Sequence, residues 1–253
     1  MSRHSLKILS YNIHKGFSAS GIRFTLKEIK HFLHQMDPDV IFLQEAVGKH
    51  TGKKIVIPDF QTNNQVDFLA KELYPYKIYG ANKKHKNGHH GNAILSKYPI
   101  ELIENHNISQ NRFESRGLLH VTLKWPPHHE AIHEPIHLFN THLNLLERDR
   151  QKQLHWIAEH IQRELHQNHA VILAGDFNDW RKKAVGHIEE NILLKEVFTQ
   201  TQRYPNSFPS FLPGLSLDRI FYKNLKLIEA AQINDKKYRN LSDHLPLLAH
   251  FKL

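Results

Sequence analysis

The sequence predicts an α/β protein whose strands form two sheets rather than one purely parallel sheet. Three observations lead there. Short apolar runs of strand length outnumber helical patterns, strand and helix signals alternate along the chain, and three further strand candidates follow one another in the tail. The 253 residues, 40% of them hydrophobic, are enough for a sizeable core. With no internal repeat, low-complexity tract or long polar linker, one domain over 1–253 is expected.

Leu6-Lys7-Ile8-Leu9-Ser10-Tyr11-Asn12 reads as a strand. Phe24, Leu26, Ile29, Phe32, Leu33 and Met36 then recur at near-helical spacing up to the Asp37-Pro38-Asp39 break. Residues 40–45 are a short apolar run ending in an acid, as a buried strand would be. A second helix is expected over 66–73 with Asn63 or Asn64 as its cap, and 93–96, 118–123 and 136–143 read as strands. The clearest helix covers 147–165, where Leu154, Ile157, Ile161 and Leu165 mark one apolar face. It leads into a buried strand over 170–175, and 217–222, 225–232 and 245–251 supply the tail strands.

Composition narrows the chemistry. Thirty-four basic against 25 acidic side chains leave a net charge of +9, which favours anionic partners: nucleic acid, phosphorylated metabolites or an acidic membrane surface. The 22 histidines add positive charge below about pH 6.5. Without cysteine there is no disulfide, thiolate nucleophile, iron–sulfur cluster or thiolate zinc site. Any metal must therefore sit on nitrogen and oxygen ligands, with hard cations the default. Residues 1–15 hold no apolar stretch of signal-peptide length, and the longest strongly apolar runs, such as 40–43, are far too short to span a membrane, so a soluble, cytoplasmic protein is expected.

The polar residues that follow the apolar runs carry the functional signal. Asn12 ends the first strand, Glu45 the second, and Asn140-Thr141-His142 and Asp176-Phe177-Asn178 end two others, while Asp218 and Asp243-His244 lie at boundaries near the tail. Each has an ordinary structural reading. Glu45 would be a carboxylate meeting solvent as its strand surfaces, and Asp176 or Asn178 part of an Asx-turn. Among 22 histidines, some such as His142 and His244 fall at strand ends by chance. Strand ends in layered α/β proteins converge on one rim, however, and six signals of complementary chemistry point to one shared site.

Taken in order, Tyr11-Asn12-Ile13, Leu43-Gln44-Glu45, Thr141-His142-Leu143, Gly175-Asp176-Phe177-Asn178, Leu217-Asp218-Arg219-Ile220 and Ser242-Asp243-His244-Leu245-Pro246 resemble the endonuclease/exonuclease/phosphatase superfamily over residues 6–251. His89-His90-Gly91-Asn92-Ala93-Ile94-Leu95-Ser96, Asn12-Ile13-His14-Lys15-Gly16-Phe17 and 174–180 look most like its YbhP-like bacterial branch. The resemblance implies a DNase I-like, four-layer α/β sandwich: two mixed β-sheets packed face to face with helices on the outside. It also implies hydrolysis of phosphoester bonds with a divalent metal, Mg²⁺ or Mn²⁺.

Site roles follow from the same resemblance. Glu45 matches the principal metal ligand and Asn12 its neighbour, with Asp243 a further acid on the metal side, as befits an ion that takes one or two carboxylates and keeps several waters. Asp176 matches the acid that positions or deprotonates the attacking water, and Asn178 the amide that binds a phosphate oxygen. Alternation in an extended segment would put both on one side. His244 resembles the histidine facing the scissile phosphate, Asp218 the carboxylate holding its ring, and His142 a second histidine found in many members. Some abasic-site nucleases carry an acid where this chain has His14 and an aromatic hydroxyl where it has His89, so their DNA-repair activity does not transfer. His14 and His89 either line the substrate site or are solvated loop histidines, and Asn92 is a further candidate for lining it. Arg116 either reaches the phosphate or pairs a core carboxylate, the second being favoured.

Lys83-Lys84-His85-Lys86 and Arg181-Lys182-Lys183 flank these motifs, either as a positive rim or as solvated loops, and Trp180 either stacks on a base or belongs to the core. The first expectation is thus a metal-dependent phosphodiesterase acting on nucleic acid as an endo- or exonuclease. The alternatives are a phosphoesterase acting on phospholipid or phosphorylated small molecules, and a catalytically silent polyanion-binding protein.

Overall fold

The computed structural model describes residues 5–50, 64–124, 135–201 and 203–252. Along the chain run β1 (Ser5–Asn12), a 3-10 turn (His14–Gly16), α1 (Leu26–Met36), β2 (Val40–His50), α2 (Gln65–Ala70), β3 (Tyr76–His85), β4 (Gly88–Ser96) and β5 (Ile100–Asn107). There follow β6 (Gly117–Leu123), β7 (Ile136–His142), α3 (Glu147–Glu164), β8 (Val171–Asp176), α4 (Lys183–Ile192), β9 (Lys195–Glu196), β10 (Asp218–Lys223), β11 (Lys226–Gln232) and β12 (Leu247–Lys252).

The strands form two six-stranded mixed sheets, ordered β11-β12-β1-β2-β4-β3 and β5-β6-β7-β8-β10-β9. Each is built round one parallel pair, β1 with β2 and β7 with β8, and the other pairings are antiparallel. A parallel pair needs a crossover, and α1 and α3 are those crossovers. The sheets pack face to face through Leu6, Ile8, Val40, Phe42, Leu119, Val121, Leu138 and Ile172, among others. Burial of each such side chain is worth about 1.5–3 kcal/mol. Outside the first sheet, Leu9, Ile41, Leu43 and Leu95 meet Ile29 and Phe32 of α1 and Val66 and Leu69 of α2. Outside the second, Leu118, Phe139 and Leu173 meet Leu154 and Ile157 of α3 and Ile188 of α4. The result is the four-layer sandwich that the family resemblance implied.

Local chemistry sets the element ends. Asp37, in the left-handed region, stops α1 just before Pro38. The Asn64 side chain accepts from the Val66 amide and starts α2, whereas Asn63 lies outside the described residues. The α2 helix ends at Ala70, short of the expected 73. Four of the labelled elements, β3, β5, β9 and α4, have no counterpart in the sequence reading. β3 and β5 are polar strands with no fully buried face, and α4 begins in a lysine run. No helix among the described residues is long and apolar enough to cross a membrane.

One buried acid lies away from the strand-end cluster. Burial, against the pull of the Phe198 amide and Arg219, pushes Glu196 on β9 up to about 7. The folded chain therefore holds this proton more tightly than an unfolded chain does. The stability it carries is complete below the unfolded value near 4.5 and is lost as pH rises through about 7. Glu196→Gln keeps the shape without the titration. Between about pH 5 and pH 8 the stability difference, measured by urea unfolding, is expected to shift by about 2 kcal/mol in favour of the variant. A difference that stays constant across this range would refute the assignment.

Candidate active site

Both parallel pairs run out at one end of the sandwich, where β1 delivers Asn12, β7 His142 and β8 Asp176. The register sets His142 beside Asp176, and antiparallel β10 sets its first residue, Asp218, on the other side of Asp176. Gly175 makes this possible: at φ 150° it lies so close to β7 that a Cβ would sit 1.9 Å from the Thr141 carbonyl oxygen.

Asp176 is the meeting point. Its Oδ2 accepts from Asn12 Nδ2 at 3.0 Å and faces Nε2 of His142 at 3.4 Å and of His244 at 3.6 Å. Its Oδ1 accepts from the Asn178 amide at 2.9 Å. The segment after β8 is thus an Asx-turn, with Asn178 at φ 48°, rather than the extended alternation expected. Asn178 Nδ2 donates to the Leu143 carbonyl, leaving one N–H for a ligand. Behind His244, Nδ1 lies 2.8 Å from Asp218 Oδ2. Burial alone would lower His244, but Asp218 and Asp176 outweigh it and hold the ring well above the usual histidine range, so it is an imidazolium at neutral pH. Burial in turn raises Asp176 above the usual carboxylate range, with Asp218 adding to it.

Glu45 stands apart from this group. It interrupts β2, where the register with β4 slips between Leu43 and Ala46, and it has φ 57°. A bulge of this kind re-aims a side chain. The Lys15 ammonium sits on Glu45 Oε2. Burial would raise Glu45, but His142, Lys15 and His14 together lower it to about 2. His14 Nδ1 is 3.7 Å from Asp243 Oδ1, and Ser242 Oγ ties Asp243 to the Asn12 carbonyl. His14, Lys15, Glu45 and Asn178 all have positive φ without being glycine. Such conformations cost on the order of 1 kcal/mol or more each and collect at functional sites.

The remaining candidates divide. Arg116 lines the same pocket as Glu45 and His142 and is held by Glu114 Oε1 at 3.0 Å. Asn92 lines it too, but its Nδ2 is spent on the Gly117 and Asn140 carbonyls. His89 is directed away, bonded to the Tyr79 hydroxyl at 2.9 Å, and it is His90 that lines the pocket. Lys15 and His90 had escaped the sequence reading. A run of two histidines does not show which faces the site, and a lysine is not distinguished by its neighbours. Trp180 is 46% exposed under the Arg181 guanidinium, which lies 4.5 Å from the ring centroid, so it is not a core residue.

Two donor sets suit different ions. Asp176, Asp218 and His244 present two oxygens and a nitrogen within 4.8 Å of one another, with His244 Nδ1 bonded to Asp218. Glu45, Asn12 and Asp243 offer only oxygens, and a cation already rests on Glu45. This set fits a hard divalent ion.

Comparison with known proteins agrees with this fold. The sequence profile of the Endonuclease/Exonuclease/phosphatase family matches residues 9–244. The protein YbhP of Escherichia coli (strain K12) is 38% identical over 250 residues, 98% of this chain and 97% of its own. Among solved structures, an endonuclease/exonuclease/phosphatase from Beutenbergia cavernae superposes with a TM-score of 0.79 at 17% identity, covering 99% of this chain and 72% of the other. A mannosyl-6-phosphatase from Bacteroides thetaiotaomicron does so with 0.71 at 16% identity, covering 98% and 100%.

Proposed function

Because the chain belongs to the endonuclease/exonuclease/phosphatase family, whose members are phosphoesterase hydrolases that generally use divalent metals, we propose that it is a metal-dependent phosphodiesterase attacking its substrate with water. The observation that carries this reading is the buried Asp176 carboxylate facing Asn12, His142 and His244, with Asp218 behind His244. Asp176, raised by burial, orients a water and takes its proton. The free N–H of Asn178 and the Nε2–H of the His244 imidazolium donate to the phosphate oxygens as charge develops on them. Asp218 keeps that ring charged and fixed. A divalent ion, Mg²⁺ or Mn²⁺, held by Glu45, Asn12 and Asp243 would screen the phosphate charge and polarise the P–O bonds. Arg116 extends the positive wall on the pocket side.

Nucleic acid is the first substrate class, supported by the net charge of +9 and by Arg181-Lys182-Lys183 directly after the Asn178 turn. A second reading, an anionic phospholipid, is favoured by apolar side chains on the loops beside the site. Leu145 and Leu146, just past His142, are 62% and 63% exposed, and Phe113 is 69% exposed. Cations lie among them: Lys83 Nζ bonds the Phe113 carbonyl and Arg112 stacks on the Phe113 ring.

Hydrolysis of bis-p-nitrophenyl phosphate and of its monoester analogue, with Mg²⁺, Mn²⁺ or EDTA, tests the reading. Diester cleavage is expected only with metal, and Glu45→Ala is expected to reduce it by about two orders of magnitude or more. A monoester preference would turn the assignment toward phosphatases, and metal-independent cleavage would overturn it. Affinity that falls steeply with salt on nucleic acid supports the first substrate class. Activity confined to anionic vesicles supports the second.

A further inference from the structure

A second cluster of ligand-type side chains lies outside the catalytic rim, on the face of the second sheet that α3 covers. Register sets Glu104 of β5 opposite His120 of β6 and His106 opposite Leu118, so His106 and His120 are diagonal neighbours on that face. His160 comes down from α3. One ring nitrogen from each of the three lies within 4.8 Å of the others.

Their hydrogen bonding is incomplete in a consistent way. His106 Nδ1 faces Glu104 Oε1 at 3.4 Å, His120 Nε2 faces His137 Nδ1 at 2.9 Å, and His160 Nδ1 faces Arg163 at 3.5 Å. The second nitrogen of each ring, His106 Nε2, His120 Nδ1 and His160 Nε2, is buried with no hydrogen-bond partner among the described residues. Buried polar atoms are nearly always paired, so three orphans in one cluster call for a ligand. The rings are held: His160 stacks on Trp156 at 5.0 Å between centroids and His120 on Phe139 at 4.1 Å. Glu104 and His137 stand where the outer partners of metal-bound histidines stand, receiving the other ring N–H. Only Arg163 must turn away, and its exposed side chain already rests on Glu164.

We propose that His106, His120 and His160 form a second metal site, independent of the phosphoesterase centre, for a borderline transition ion of the Zn²⁺ class. Three imidazoles suit Zn²⁺, Co²⁺ or Ni²⁺ and not Mg²⁺, with water to complete the coordination. The ion would fasten β5, which among the described residues is an edge strand paired only to β6, to α3.

The test uses the full chain stripped of metal and reloaded with Zn²⁺ or Co²⁺. In a Glu45→Ala/Asp243→Ala variant, which lacks both carboxylates of the catalytic ion's ligand set, about one equivalent of Zn²⁺ is expected to remain, with the visible absorption of tetrahedral Co²⁺ and a rise of Tm on adding Zn²⁺. Adding His106→Gln and His160→Gln is expected to weaken this binding by about tenfold or more and abolish the Tm response. His106→Ala alone, at the strand edge, gives a milder variant should the pair fail to fold. Stoichiometry, Co²⁺ spectrum and Tm shift that are unchanged by the histidine replacements, or equal competition by Mg²⁺, would overturn the proposal, as would only weak binding spread over many surface histidines.

Discussion

Replacing Asp176 by Asn is expected to reduce metal-dependent phosphodiester hydrolysis by about three orders of magnitude while substrate binding and the fold persist. The substitution keeps the side-chain shape, and its Oδ1 still accepts from the Asn178 amide that forms the Asx-turn. It removes the carboxylate at the meeting point of Asn12, His142 and His244, and with it the group that takes the proton from water. His244 loses one of the two carboxylates that hold it protonated and keeps Asp218 at 2.8 Å. The loss should therefore appear in kcat rather than KM. A variant that retains more than about a tenth of wild-type kcat would remove Asp176 from the role of base. If wild type and variant alike bind substrate and neither turns it over, the cleft is a silent polyanion-binding site instead.

The second large effect is structural and lies one strand inward. Asn140 of β7 is fully buried between the sheets, donating to the Leu43 and Ala93 carbonyls at 2.9 and 2.8 Å and accepting from Gln44 Nε2 at 2.8 Å. Those partners flank the irregularity in the β2–β4 ladder that turns Glu45 outward. Asn140→Leu is expected to lower stability by about 3–5 kcal/mol, because it leaves several polar groups buried and unpaired at about 1–3 kcal/mol each. Urea unfolding measures it. The same variant should require more Mg²⁺ for activity, since Glu45 loses its support. A stability loss below about 1 kcal/mol would mean that the freed groups find other partners.

What the sequence made legible follows from period and punctuation. Asn12, His142 and Asp176 were visible as polar residues closing apolar runs, and closure of a parallel strand is where α/β sheets place their chemistry. Glu45 showed the same signal for a different reason: its strand continues to His50, and only the bulge turns it outward. β3 and β5 were illegible because their neighbours, not their own patterns, make them strands. His89 and His90 could not be separated, since a slip of one residue exchanges the two faces of a strand. The expected extended run through Asp176 and Asn178 gave way to a turn because the Asp176 carboxylate captures the Asn178 amide. The histidine cluster under α3 left no motif, for its members lie 14 and 40 residues apart and meet only through strand pairing and helix packing.

The order of strands in the first sheet bears on how this protein comes to be active. β1 pairs with β12, setting Ser5 beside Lys252, so two of the most distant parts of the described chain must find each other before that sheet is complete. Contacts of such separation fold slowly, since the loop they close is nearly the whole chain. Asp243 and His244 arrive on the segment that leads into β12. Hydrolytic competence should therefore be among the last properties acquired in refolding, after the bulk of the secondary structure, making turnover a clock for the final closure of the sandwich.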